Sequence, residues 1–270
     1  MGSQIVSWSP VHGQSATTSN TVALASLFAL EQSYHSLITH TQLTFSTLEF
    51  LYTQGERAGF DDGGMEALER LVKSKLLKAD AVSDYTDKIY SKRLDLLVGS
   101  KKAWESPEEA ERVLRAILKV AKDHYDAIWI DAHSGTFNKT SRVLLKDADL
   151  VLVNLPQNKY VIDKFFSGET FPTELEDKAC IILISNYDEE ATYSIRNIKR
   201  AHKTKHIILP IHYSTGFKDA SNQRAVTEFF YRVMGSKKGD PHASYVRSLR
   251  DVNKAIMKTL ELEPSEDDFL

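Results

Sequence analysis

Seven short apolar runs, nearly continuous in hydrophobicity and separated by longer helix-compatible stretches, constrain this chain more than any other feature. They are QIVSW (4–8), HSLITH (35–40), RLDLLVG (93–99), AIWID (127–131), LVLVN (150–154), CIILIS (180–185) and HIILPI (206–211). Strands exposed on one face alternate apolar and polar residues, whereas strands covered on both faces read as unbroken apolar runs. The pattern predicts an α/β fold: a mostly parallel sheet of about seven strands with helices on both faces.

Helices are expected at 17–33, 64–76, 107–123, 138–146, 158–167, 190–201 and 218–235, with a final amphipathic helix over 241–262. The stretch SPEEAERVLRAILKVAKDH carries its own start signal, with Ser106 as cap, Pro107 at the first helical position and Glu109 where a capping box places an acid. Residues 55–64 (GERAGFDDGG) read as the most flexible loop, and no internal boundary is expected. The reading is one domain over 1–262 followed by an acidic, disordered tail at 263–270.

The 270 residues carry a formal net charge of −3, so the chain as a whole has no electrostatic attraction to nucleic acid or anionic lipid. Direct DNA binding is therefore disfavoured, although the basic side of 241–262 leaves a local contact open. The single cysteine, Cys180, sits in an apolar run and reads as a small buried hydrophobe in a reducing compartment. No secretory signal and no apolar stretch of membrane-spanning length is found, and the expected location is cytoplasmic.

The chemistry concentrates in the loop after the first strand, SPVHGQSATTSN (9–20), which leads into the helical run TVALASLFALEQ. Strand, tight loop and helix is the setting in which backbone N–H groups and the helix dipole hold a phosphate. The usual Gly-Lys-Ser/Thr ending is missing its lysine, so a connector that binds nothing remains an alternative. Even so, the loop resembles the deviant Walker A motif of the ParA/MinD family of P-loop ATPases, K-G-G-x-G-K-T-T-x-x-x-N. Gly13 matches the third glycine, Ser15 the magnesium-ligating Thr/Ser, and Asn20 the asparagine one turn into the helix. Ser9 and Gln14 stand where the family has its two lysines, Pro10 and Val11 replace two glycines, and Ala16 replaces a threonine. Downstream, HYDAIWIDAHSG (124–135) is similar to the Walker B region and keeps Asp131 and Gly135. LKDADLVLVNLPQN (145–158), ILISNYDEEA (182–191) and ILPIHYSTGFKDASNQ (208–223) are similar to later family segments in the family's order.

This resemblance implies a P-loop NTPase-like fold and a nucleotide site at His12, Gly13, Gln14, Ser15, Ala16, Thr17 and Asn186. It implies ATP or ADP with Mg2+ as cofactor, with Ser15 and Asp131 at the metal. It further implies a homodimer across the P-loop edge, an unknown protein partner, and a role in positioning or partition. Within the family, TadZ/CpaE-type members that localise pilus-assembly machinery also have altered loops. Here, too, the departures point to lost hydrolysis. Phosphoryl transfer needs charge neutralisation, a metal and a placed water. Both loop lysines are gone, and Thr39 and Thr41 stand where the family has carboxylates. The expectation is a scaffold with weak or no hydrolysis, beside two alternatives: an ATPase with rearranged chemistry drawing on Lys139, Arg142 or Lys218, or a nucleotide-free interaction module. Finally, His12, His40, His133 and His212 all fall at carboxyl ends of predicted strands, which raises the question of a shared metal.

Overall fold

The computed structural model describes residues 1–41, 46–52, 63–78, 81–100, 106–135 and 138–263. Most of the predicted flexible loop at 55–64 and of the acidic tail therefore lies outside the described residues. The eight described strands are β1 (Ser3–Trp8), β2 (Ser36–His40), β3 (Asp87–Tyr90), β4 (Leu94–Leu96), β5 (Ala127–Asp131), β6 (Leu150–Pro156), β7 (Cys180–Tyr187) and β8 (Ile207–His212). They form one sheet in the order β3-β4-β2-β5-β1-β6-β7-β8, with every pair parallel except β3 with β4.

The described strands number eight, in keeping with the expected sheet of about seven. The additional one, β3, is an antiparallel edge strand, DKIY, whose first two residues are exposed, so it never shows the continuous apolar signature of a covered strand. The predicted run 93–99 forms a strand only over Leu94–Leu96.

Successive residues of a strand point to opposite faces, and both faces here are apolar. In β5, Ala127 and Trp129 join one core, while Ile128 and Ile130 join the other. The first face is covered by α1 (Thr17–Glu31), α2 (Leu48–Tyr52), α9 (Thr215–Asn222), α10 (Val226–Val233) and α11 (Ala243–Thr259). The second is covered by α3 (Gly64–Lys73), α4 (Ala81–Asp84), α5 (Pro107–Ala121), α6 (Lys139–Asp147), α7 (Lys159–Phe166) and α8 (Ile195–His202). Helix α1 is sandwiched between sheet and outer helices, which is why its sequence is apolar on nearly every side. Its Phe28 meets Trp129 edge to face at 5.5 Å; both are fully buried, and each such side chain contributes about 1.5–3 kcal/mol of burial free energy.

Helix starts follow their sequence signals. The hydroxyl of Ser106 accepts from Glu109 N at 3.1 Å, and Asn138 and Asn158 cap α6 and α7 in the same manner. One expected helix is divided: 218–235 becomes α9 and α10, separated where Arg224 takes a left-handed φ of 56°. No helix among the described residues is long and apolar enough to cross a membrane.

Candidate functional site

β1 lies between β5 and β6, so the chain leaves it in one direction early and crosses over it later. In open parallel sheets, ligands bind outside the carboxyl ends of the strands at such a switch point. The loop from Ser9 to Ala16 occupies that crevice and ends at α1. A buried polar network anchors the helix beneath it. Asn20 Nδ2 donates to Asn154 Oδ1 and to Ser185 Oγ, both at 2.8 Å, and Asn154 Nδ2 donates to Ser7 Oγ at 2.9 Å. Three strand ends are thereby tied to the first turn of α1.

The loop is curled, with Gly13 at φ 70° and Ala16 at φ 49°, both left-handed. A Cβ on Gly13 would meet nothing within 4 Å, so this bend faces open space. Among the described residues, none of the hydrogen bonds uses the N–H groups of Gly13, Gln14, Ser15 or Ala16. Val11 N is different, donating to Ser9 Oγ at 3.2 Å. Of the residues with open amides, Gly13, Ser15 and Ala16 border a cavity of about 340 Å³, lined also by His12, Thr17, Thr18, Ser19, Thr47, Asp131 and Ser134, while Gln14 does not.

Asp131 forms the floor of this cavity and is fully buried. Its Oδ2 accepts from Thr18 Oγ1 at 2.6 Å, while Oδ1 has no hydrogen-bond partner among the described residues. Burial pushes the carboxyl up to about 6, against downward pulls from the Thr18 hydrogen bond and from nearby His40. A carboxylate sealed with one oxygen unsatisfied is costly unless something binds it.

The sequence-predicted residues are distributed unevenly around this centre. His12, Gly13, Ser15, Ala16 and Thr17 line the cavity. Gln14 is exposed. Ser15 is buried and accepts a hydrogen bond from Ser9 Oγ at 2.8 Å, so the hydroxyl that touches Asp131 belongs to Thr18, one turn further on. Asn186 sits apart, at φ 50° on a bulge in β7, and lines a second cavity of about 430 Å³. The two cavities share Ala16, Ser19 and Thr47, making one groove. Its far end carries Phe50, Tyr213, Phe217 and Lys218. Thr18, Ser19, Thr47 and Tyr213 were not singled out from the sequence; the tract TTS directly before an apolar helical run was the available signal for the first two.

Of the three cations considered for the phosphates, Arg142 is paired with Glu174 at 2.6 Å and Lys139 is exposed, while Lys218 lies at the far end of the groove, 6.0 Å from the Tyr213 ring centre. Thr39 Oγ1 donates to Leu97 O at 2.9 Å, and Thr41 Oγ1 accepts from His133 N at 3.3 Å, so both threonines serve the scaffold. The four histidines do not converge. His40 pairs with Glu49 at 3.0 Å and His212 with Glu189 at 2.9 Å. Only His12 and His133 meet, and the described residues contain no group of three or more His, Cys, Asp or Glu arranged for a metal. Burial, then His12, holds His133 below the ordinary imidazole value.

Sheet order, switch-point crevice and curled loop at a helix start define an α/β protein with a P-loop NTPase-like fold. The solved structures it resembles are ParA/MinD family ATPases. A ParA family ATPase from Chlorobium tepidum TLS superposes with a TM-score of 0.71 at 13% identity, covering 94% of this chain and 99% of that one. A variant McdA from Cyanothece in complex with ATP gives 0.70 at 15% identity, covering 98% of each chain. The septum site-determining protein MinD from Pyrococcus horikoshii OT3, complexed with Mg-ADP, gives 0.68 at 12% identity, covering 96% of this chain and 97% of that one. At these identities the likeness is one of fold. No protein-family model matches the sequence, and no curated protein matches it.

Proposed function

We propose that this chain is a ParA/MinD-like positioning or partition protein that binds ATP or ADP with Mg2+ at the groove and acts mainly as a scaffold, with weak or no hydrolysis. The observation that carries this reading is Asp131: a fully buried carboxylate with one open oxygen, on the floor of a cavity edged by unbonded backbone amides. Such a floor suits a divalent ion, and such a rim suits phosphate oxygens. Thr18 and Asp131 would hold the ion, which supplies neutralising charge at the phosphates. Gly13 to Ala16 would hold the phosphates through their N–H groups, and the Asn186 end would take the nucleoside.

The same geometry supports poor turnover. Among the described residues, no lysine or arginine lines the phosphate end, and Asp131 is its single carboxylate. Transfer to water needs cations on the departing phosphate and a group to place the water, and neither is provided there. The loop edge, with His12 exposed, is the face proposed for a homodimer and an unknown protein partner in the cytoplasm.

A thermal-shift titration tests the reading. Saturating Mg-ADP or Mg-ATP is expected to raise the melting temperature of the wild type by mass action. In Asp131→Ala the rise should be lost, and phosphate release should be near background in both proteins. Absence of a shift with either nucleotide favours the second reading, a nucleotide-free interaction module, whose supporting observation is the same lack of cations at the phosphate end.

A further inference from the structure

Strand alternation turns Gln4, Val6 and Trp8 of β1 toward the second face of the sheet, and of these only Gln4 is amphoteric in hydrogen bonding and rich in polar atoms. Gln4 is 3% exposed, and its Nε2 has no hydrogen-bond partner among the described residues. The backbone fixes it in place: Gln4 N donates to Asp149 Oδ2 at 2.7 Å, and Asp149 N donates to Gln4 O at 3.0 Å. A buried amide without a partner is costly, so a side chain of this kind on a covered face points to a ligand.

Gln4 lines a slot of about 280 Å³ between α5 and α6, whose apolar walls are Leu114, Leu118, Val143 and Leu144. At about 30 Å³ per molecule of liquid water, the slot has room for roughly nine waters, and so for a ligand of about nine non-hydrogen atoms. Arg115, Lys119, Lys122 and Asp147 border it. Arg115 is held on Asp147 at 2.5 Å and Lys122 on Asp149 at 2.6 Å. That leaves Lys119, which is exposed and has no ion pair among the described residues. The slot adjoins the amino end of β1, whereas the Ser9–Ala16 loop follows the carboxyl end.

We propose that this slot is a binding site for a small monocarboxylate with an apolar body, separate from the nucleotide groove. The four aliphatic side chains take the body, and a few placed polar groups orient the head, as in small-molecule sites generally. The uncommitted charge sets the head group. One free ammonium matches one negative charge; a phosphate dianion would call for a second free cation, and an amine would be repelled by Arg115, Lys119 and Lys122. Gln4 gives the directional contact, because an amide N–H donating to a carboxylate oxygen gains the partner that the fold does not provide. Occupancy of the slot requires no nucleotide.

Calorimetric titration of heptanoate into the full chain tests the site, with heptanol, heptylamine and acetate as comparisons. Heptanoate is expected to bind with a dissociation constant of about 0.1 mM, and each of the other three about tenfold more weakly or worse. Lys119→Gln, at an exposed position, should weaken heptanoate about tenfold and leave heptanol unchanged. Gln4→Leu should weaken heptanoate by about fivefold while raising the melting temperature of the unliganded protein, because it removes the unpaired amide. Equal affinity for heptanoate and heptanol overturns the carboxylate assignment. Heptanoate binding that survives both substitutions in full puts the ligand elsewhere and overturns the site. Absence of saturable binding up to about 10 mM overturns it as well.

Discussion

Two aspartates are sealed inside this sheet, and their surroundings could hardly differ more. Asp95 in β4 is fully buried, yet its Oδ2 is met by Lys88 Nζ at 2.6 Å, Tyr125 OH at 2.8 Å and His35 Nε2 at 3.1 Å. Asp131 in β5 is equally buried and has the single hydroxyl of Thr18. The first carboxylate comes with its cation built in. The second borders a cavity, and burial pushes its carboxyl up to about 6. Each carboxylate leaves its Oδ1 without a partner among the described residues, so what separates the two is the cation: Lys88 is paired with Asp95, whereas Asp131 faces a cavity that no lysine or arginine among the described residues lines.

The same Asp→Asn exchange should therefore act with opposite sign at the two positions. Asp95→Asn removes the charge that Lys88 and His35 are arranged around and should destabilise the fold by about 3 kcal/mol in urea unfolding, discounted for the half-exposed lysine. A neutral result there would erase the contrast. Asp131→Asn should stabilise the unliganded protein by about 2 kcal/mol at pH 7.5, because an amide oxygen still accepts from Thr18 without burying a charge. The sign follows from proton linkage. A carboxyl raised above its unfolded value of 3.8 keeps its proton longer in the folded state, so stability is greatest below that value and is lost as pH rises through about 6. The advantage of the amide should accordingly shrink as pH falls from 7 toward 4. The smallest effect is expected from Thr18→Val, costing about 1 kcal/mol and moving the Asp131 carboxyl further above 6, as read by NMR titration. No change in that titration would show that the hydroxyl does not hold the carboxylate.

The contrast was only partly legible in the sequence. Apolar runs announced seven of the eight described strands because covered strands cannot hide their composition, and Ser106 announced α5 because a cap needs no tertiary context. β3 was missed because an edge strand mixes exposed and buried positions. The break falls at Arg224, where the left-handed backbone is carried by a residue that is neither glycine nor proline, so the sequence offers no turn signal there. Asp131 stood out through its place in a known segment order. Thr18 did not, because which hydroxyl reaches Asp131 is set by the left-handed curl at Gly13 and Ala16 that orients the start of α1. Gln14 looked central by its position in the motif, yet its exposure is a property of the curl, which spacing alone does not encode.

Crystals soaked with ADP and magnesium test the central claim most directly. The account predicts phosphate density against the N–H groups of Gly13 to Ala16, with the ion beside Asp131 and Thr18 and the nucleoside toward Asn186. Nucleotide seated on another face, or a groove still empty at saturating ADP, would contradict it.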